Sequence, residues 1–221
     1  MVDFAAARAN MVECQVRPND VTDYRIQWAM GQTPREKFLP RDRQSLAYMG
    51  EHVCVGEGRY LLEPRCFSKL LQAAAIDSQE VVLDVGCATG YSSAILAQLA
   101  GAVVGLECDA ALAKSAGEIL AELGIDNAAI MTGDLTRGCP DEGTFDVIFL
   151  NGAVEILPEI LLTQLKEGGR LATVMAKPEG DHAYLFIKHH HGGREFIDKR
   201  VVFDASAPLL PGFEKREEFV F

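Results

Sequence analysis

The stretch Asp84-Val85-Gly86-Cys87-Ala88-Thr89-Gly90-Tyr91 has the spacing with the most chemical content in this chain. An apolar, β-branched run, Val81-Val82-Leu83-Asp84-Val85, leads into it, and helical spacing over Tyr91–Ala100 leads out. A strand–loop–helix join of this kind lies at the carboxyl edge of an open α/β sheet, where such sheets bind ligands. Gly86 and Gly90 let the backbone turn tightly and approach a ligand, and Ala88 is the next-smallest side chain between them. Glu107 stands twenty-one residues beyond Gly86, at the end of the next apolar run. A carboxylate there can accept hydrogen bonds from both ribose hydroxyls of a nucleoside. A cofactor that contains a nucleoside fits both features, whereas a turn that holds nothing would leave Glu107 without a role.

Two such cofactors compete. A dinucleotide fingerprint needs small residues at positions 86, 88 and 91, and position 91 is Tyr. It also needs a helix N-terminus free of nearby anions to receive a pyrophosphate. Asp84, two residues before the first glycine, suits an ammonium group instead. S-adenosylmethionine carries an ammonium and a sulfonium and no phosphate, so the spacing favours it over NAD. Gly133-Asp134-Leu135 follows a third strand-like run: Asp134 can take the adenine amino group while Leu135 packs on the ring. Asn151 ends a fourth such run and can reach the cofactor or the acceptor, or simply cap the strand.

These residues need a scaffold, and the sequence has one. Helical pieces around Phe4–Cys14, Asp23–Gly31 and Pro64–Ala75 come first, with Pro34 and Pro64 each fitting a first helical turn. From Glu80 the pattern alternates. Strands are expected at Val81–Val85, Ala102–Leu106, Ala128–Thr132, Phe145–Asn151 and Arg170–Met175. Helices are expected at Tyr91–Ala100, from Asp109 to Leu123 with Gly124 as its stop, and around Glu155–Leu165, with Gly168-Gly169 as a turn. Such alternation predicts a mostly parallel sheet covered on both faces. After Lys177 it gives way to Ala183–His189 and Phe196–Phe203, a hairpin around Gly192-Gly193 that closes one sheet edge. The reading is one α/β domain over 1–221, with a helical cap and acceptor-side strip over 1–76 and a cofactor-binding core over 77–221.

Composition narrows the partners. The 221 residues are 48% hydrophobic and 24% charged, as in ordinary soluble domains. Asp and Glu number 32 against 21 Lys and Arg, a net charge of -11. A field of that sign repels phosphate backbones and anionic lipid, so nucleic acid and membranes are not expected partners. No apolar run reaches the ~18 residues that span a bilayer. The N-terminus lacks the apolar core of a secretory signal, so the six cysteines are expected as free, mostly buried thiols in a reducing cytoplasm. His189-His190-His191 invites a metal reading, but adjacent strand residues face opposite ways and a solvated hairpin end is favoured. Glu214-Lys215-Arg216-Glu217-Glu218 reads as a solvated tail.

Several strings outside the glycine loop are familiar. Met11-Val12-Glu13-Cys14-Gln15-Val16-Arg17, Thr22-Asp23 and Pro34-Arg35-Glu36-Lys37-Phe38-Leu39-Pro40 resemble the N-terminal helices of the protein-L-isoaspartate (D-aspartate) O-methyltransferase family. Leu46-Ala47-Tyr48, Val55-Gly56-Glu57-Gly58 and the segment from Ile160 to Leu171 extend the resemblance over nearly the whole chain. It implies a Rossmann-like S-adenosylmethionine methyltransferase fold and methylation of isoaspartyl carboxylates in damaged protein, with S-adenosylhomocysteine as product. The resemblance assigns Asp84, Gly86, Ala88, Gly90, Glu107, Asp134, Leu135 and Asn151 to the cofactor. A carboxylate is already ionised at neutral pH and needs no general base. The enzyme's task is to align oxygen, carbon and sulfur and exclude water.

One strip departs from the family. Its Gln-Thr-Ile-Ser-x-Pro, which grips the acceptor carboxylate, is Arg59-Tyr60-Leu61-Leu62-Glu63-Pro64 here. Arg59, Tyr60 and Leu62 are therefore the candidate catalytic residues on the acceptor side, and cofactor binding is expected to survive the change better than isoaspartyl methylation. Ser206-Ala207-Pro208-Leu209-Leu210-Pro211-Gly212 resembles the C-terminal loop that covers the acceptor site. Beside transfer to an isoaspartyl protein or peptide, or to a small carboxylate, two alternatives stay open. One is a cofactor-binding homologue with another acceptor or no catalysis, the other an NAD-linked oxidoreductase.

Overall fold

The computed structural model describes residues 3–215. The cap begins with α1 (Phe4–Met11), which runs on through a π-helical turn over Val12–Val16 and a 3-10 turn over Arg17–Asn19. Then come α2 (Tyr24–Gln32) and, after a short sheet described below, α3 (Pro64–Ala74). Asp3 and Asp23 cap α1 and α2 with their side chains, and Pro64 opens α3, where no N–H is needed. Pro34 instead precedes a 3-10 turn over Arg35–Phe38.

Between α2 and α3 lies an element that the sequence reading missed. Strands β1 (Val53–Gly56) and β2 (Arg59–Leu61) form a separate antiparallel hairpin. Its signal was present: buried and half-buried positions alternate along both arms, around a Gly-Glu-Gly turn.

The core is one seven-stranded sheet in the order β5-β4-β3-β6-β7-β8-β9. Its members are β3 (Val81–Val85), β4 (Ala102–Glu107), β5 (Ala128–Thr132), β6 (Phe145–Val154), β7 (Leu165–Met175), β8 (His182–His191) and β9 (Arg194–Asp204). The pairs among β3 to β7 are parallel, whereas β8 and β9 are added antiparallel, as expected. Helices α4 (Tyr91–Leu96) and α5 (Ala110–Glu122) follow β3 and β4, with Asp109 capping α5.

Several expected boundaries shift: α4 ends at Leu96 instead of Ala100, and β6 runs on to Val154. Helix α6 is only Glu159–Thr163, because this longer β6 and an extended Pro158 precede it, while the Glu155 and Ile156 N–H groups tie the segment to the Phe213 carbonyl. Gly168-Gly169 is a loop-out inside β7, whose pairing to β6 jumps from Leu165 to Arg170. The Rossmann-like expectation thus holds in topology, with strand order reversing at β3, between β4 and β6.

Alternation on the strands divides the core between the two faces. Val82, Val147 and Phe149 pack with the cap helices and α4, while Leu83, Val85 and Ile148 pack with Leu161 on the other face. Phe67 of α3 links the cap to the sheet through an edge contact with Phe149 at 5.7 Å and to α4 through a tilted contact with Tyr91 at 5.7 Å.

All six cysteines are free thiols, but only Cys66, Cys87 and Cys139 are buried, so the expectation of mostly buried thiols is corrected to half. Among the described residues no helix is long and apolar enough to cross a membrane, and no group of three His, Cys, Asp or Glu side chains is placed to hold a metal. His189 stacks on Phe196 in the terminal hairpin at 5.2 Å. Residues 216–218 of the expected tail lie outside the described residues.

Candidate functional site

The glycine loop leaves β3 at the switch point and enters α4 through three left-handed residues, Gly86, Ala88 and Gly90. Gly90 is needed twice over: its φ is +90°, and an added Cβ would stand 3.0 Å from the Ala116 Cβ of α5. Gly86 presses its open face against other side chains, since a Cβ there would lie 2.8 Å from both Arg59 Nη2 and Leu210 Cδ2.

Asp84 ends up sealed. It is fully buried at the end of β3, accepting from Ser92 Oγ at 2.7 Å, Ser93 Oγ at 2.6 Å and from Asn151 Nδ2. Burial pushes its carboxyl up to about 6, against the pull of these three donors. Ser92 and Ser93 escaped the sequence reading; their signal is two hydroxyls in the first turn of a helix that is otherwise apolar. Asn151 spends its amide on Asp84, so the structure uses it as a partner of that carboxylate.

An acid whose folded pKa lies above its unfolded value makes the protein less stable as pH rises between the two. Here that window runs from 3.8 to about 6. Asp84→Asn removes the slope. The unfolding free energy of the variant minus that of wild type should therefore rise by about 2 kcal/mol between about pH 4 and pH 7. Urea denaturation at several pH values measures the difference, and a flat one would refute the assignment.

Glu107, at the end of β4, is also fully buried and is the most heavily engaged group in the site. Its Oε2 accepts from Ala88 N at 2.7 Å and Arg59 Nη2 at 2.8 Å, its Oε1 from Cys108 N at 2.9 Å and Asp109 N at 3.1 Å. Arg59 Nε lies 3.1 and 3.2 Å from the two oxygens. Burial alone would raise this carboxyl; the Arg59 guanidinium and the loop N–H groups hold it below its usual range.

The strip follows the hairpin. Arg59 is 2% exposed, Tyr60 half-buried, and Leu62 is buried in the cap-side core. Behind the strip Arg35, fully buried, donates from Nε to the Ala47 carbonyl at 2.7 Å and from Nη2 to the Leu62 carbonyl at 2.8 Å. Its guanidinium lies 4.7 Å from the centre of the Tyr91 ring. Tyr91 thus packs its ring on the cap, and Arg35 is a second anchor the sequence reading missed.

The C-terminal segment completes the rim. Ala153 N donates to the Pro208 carbonyl at 2.8 Å and Leu210 N to the Ala153 carbonyl at 2.9 Å, stitching this segment to β6 and setting Leu210 over Gly86 and Gly152. Asp134 is exposed and accepts from Thr136 N at 2.9 Å and Oγ1 at 2.7 Å, and these bonds keep its carboxyl below its usual range. Leu135 is buried against the lower core. A cavity of about 10 Å³, the room of one water, remains between Tyr60, Leu62, Gly86, Tyr91 and Asn151.

A nucleoside cofactor therefore meets the right donors and acceptors but not an open seat. Arg59 closes on Glu107, and the Arg59 and Leu210 side chains lie against Gly86, so both must move before a ligand can approach the glycine turn.

Comparison with known proteins gives a consistent picture. The family model for protein-L-isoaspartate(D-aspartate) O-methyltransferase matches residues 7–203. A protein-L-isoaspartate O-methyltransferase 2 of Anaeromyxobacter sp. (strain Fw109-5) is 39% identical over 190 residues, 85% of this chain and 78% of that protein. The enzyme named protein-L-isoaspartate O-methyltransferase in Roseiflexus castenholzii is 32% identical over 211 residues, covering 96% and 95%. A solved structure of a protein-L-isoaspartate O-methyltransferase superposes with a TM-score of 0.80 at 25% identity, over 93% of this chain and 66% of that one. One from Plasmodium falciparum, in complex with S-adenosyl-L-homocysteine, has the same fold with a TM-score of 0.75 at 22% identity.

Proposed function

Because the chain belongs to the protein-L-isoaspartate(D-aspartate) O-methyltransferase family, we propose that it transfers a methyl group from S-adenosylmethionine to the side carboxylate of an isoaspartyl residue in damaged protein. The observation that carries this reading is the family match over residues 7–203, which spans the glycine loop, Glu107 and the altered strip together. Glu107 supports a ribose diol, and the small residues of the loop support close approach by the rest of the nucleoside. The site offers the acceptor no general base, and an ionised carboxylate needs none. The chain's own contribution is to hold the acceptor and keep water out of a rim already lined by Leu62, Leu210 and Tyr91.

Calorimetry with S-adenosylhomocysteine, together with tritiated methyl transfer to matched isoaspartyl and normal aspartyl peptides, tests the proposal. Saturable S-adenosylhomocysteine binding and isoaspartyl-selective transfer are expected. Binding of NADH in its place would overturn the cofactor, and equal labelling of the two peptides would overturn the acceptor.

The strip bears on the rate. Each hydroxyl lost against a charged acceptor costs ~1.5–3 kcal/mol, or roughly tenfold to a hundredfold in transfer. Tyr60→Thr moves the hydroxyl from the far end of a ring to the short reach the family's Thr gives it, and should raise isoaspartyl transfer about tenfold without changing S-adenosylhomocysteine affinity. Leu62→Ser is not its equivalent, because Leu62 is 3% exposed within the core and a serine there leaves a hole.

A further inference from the structure

Arg59 belongs to the acceptor-side strip, yet its guanidinium fork closes on the carboxylate that a cofactor ribose needs. While it does so, Glu107 has no free lone pair for a diol, since each oxygen also accepts from the loop backbone. The two partners are not equally dependent on the pair. Glu107 keeps the N–H groups of Ala88, Cys108 and Asp109 when Arg59 leaves. Every side-chain hydrogen bond that Arg59 makes among the described residues goes to Glu107, so a departing guanidinium needs another anion. Its carrier is not part of the main sheet: β1 and β2 form their own two-stranded sheet, with Glu57 and Gly58 exposed at the tip.

We propose that Arg59 is a specificity residue shared between the two ligands. The acceptor's carboxylate draws it off Glu107, the freed Oε2 takes a hydroxyl of the cofactor's ribose, and each ligand strengthens the binding of the other. This rests on the reading of S-adenosylmethionine as the cofactor. It selects acceptors that present a carboxylate, and it explains how a chain without the family's Thr and Ser can still recognise one. The coupling is reciprocal, so cofactor raises acceptor affinity by the same factor as acceptor raises cofactor affinity.

The test is S-adenosylhomocysteine binding by calorimetry to the full chain, with and without a saturating isoaspartyl peptide. A peptide carrying the corresponding carboxamide serves as control. The isoaspartyl peptide should tighten S-adenosylhomocysteine binding about fivefold or more, and the carboxamide should not. Arg59→Gln should bind S-adenosylhomocysteine about tenfold more tightly than wild type without peptide, and should lose the peptide's effect. Wild-type coupling is informative even if that variant fails to fold. Tight wild-type binding that neither the peptide nor Arg59→Gln changes would overturn the shared role and leave the cofactor intact. No S-adenosylhomocysteine binding to wild type under either condition would remove the cofactor reading and this proposal with it.

Discussion

Glu107→Ala is expected to lower the unfolding free energy by about 3–5 kcal/mol and to abolish measurable S-adenosylhomocysteine binding. The magnitude comes from what the substitution strands. Arg59, 2% exposed, loses the carboxylate that accepts all its side-chain hydrogen bonds among the described residues, and the Ala88, Cys108 and Asp109 N–H groups lose theirs. Removing one member of a buried ion pair leaves an uncompensated charge, which costs far more than the pair itself contributes. The double variant Glu107→Gln with Arg59→Met separates these effects. Its amide oxygen still accepts from Cys108 and Asp109, and the stranded cation is gone, so it should recover much of the loss while leaving the Ala88 N–H without its partner. Equilibrium urea denaturation of the three proteins decides the matter. A Glu107→Ala loss below about 1 kcal/mol would mean that Arg59 reaches water as readily as it reaches Glu107.

Arg35→Ala should be comparably damaging, at about 3–5 kcal/mol, although Arg35 touches neither proposed ligand. Its guanidinium is buried with no acidic partner and is held by the Ala47 and Leu62 carbonyls and the face of Tyr91. Burial pulls its pKa down, yet arginine stays protonated in this environment. Truncation opens a cavity beneath the strip and leaves two buried carbonyls unpaired. Arg35→Met fills much of the volume and lacks only the donors. The difference between the two variants therefore measures packing, and the cost left in Arg35→Met measures the hydrogen bonds. Because the Leu62 carbonyl is one of the two anchors, both variants should also loosen the strip and raise the acceptor KM before they change S-adenosylhomocysteine affinity. Equal stability of Arg35→Ala and wild type in urea would show that the strip is positioned by its apolar contacts alone.

Period-two apolar runs and glycine spacing carried most of the architecture, because they are local signals. Val81–Val85 is apolar except at Asp84 since both faces of a central parallel strand are covered. Gly86 and Gly90 are legible because the left-handed turns they adopt exclude most other side chains. The family too was legible, since its N-terminal strings depend on residue identity and order. The ends of α6 and β7 were not, because the longer β6 and the loop-out before Arg170, both set by tertiary pairing, decide where those elements begin.

The site divides along the same line. Its membership at Asp84, the glycines and Glu107 follows from spacing along the chain. What each group does depends on partners far away in sequence: Asn151 closes Asp84 across 67 residues, and Arg59 closes Glu107 across 48. Nothing in the string Arg59-Tyr60-Leu61-Leu62 shows that its first residue points inward to a carboxylate while its last supplies a carbonyl to Arg35. Those pairings exist because folding brings a short hairpin, a glycine loop and the C-terminal segment to one sheet edge. There, buried charges and buried carbonyls must find partners or cost the protein its stability.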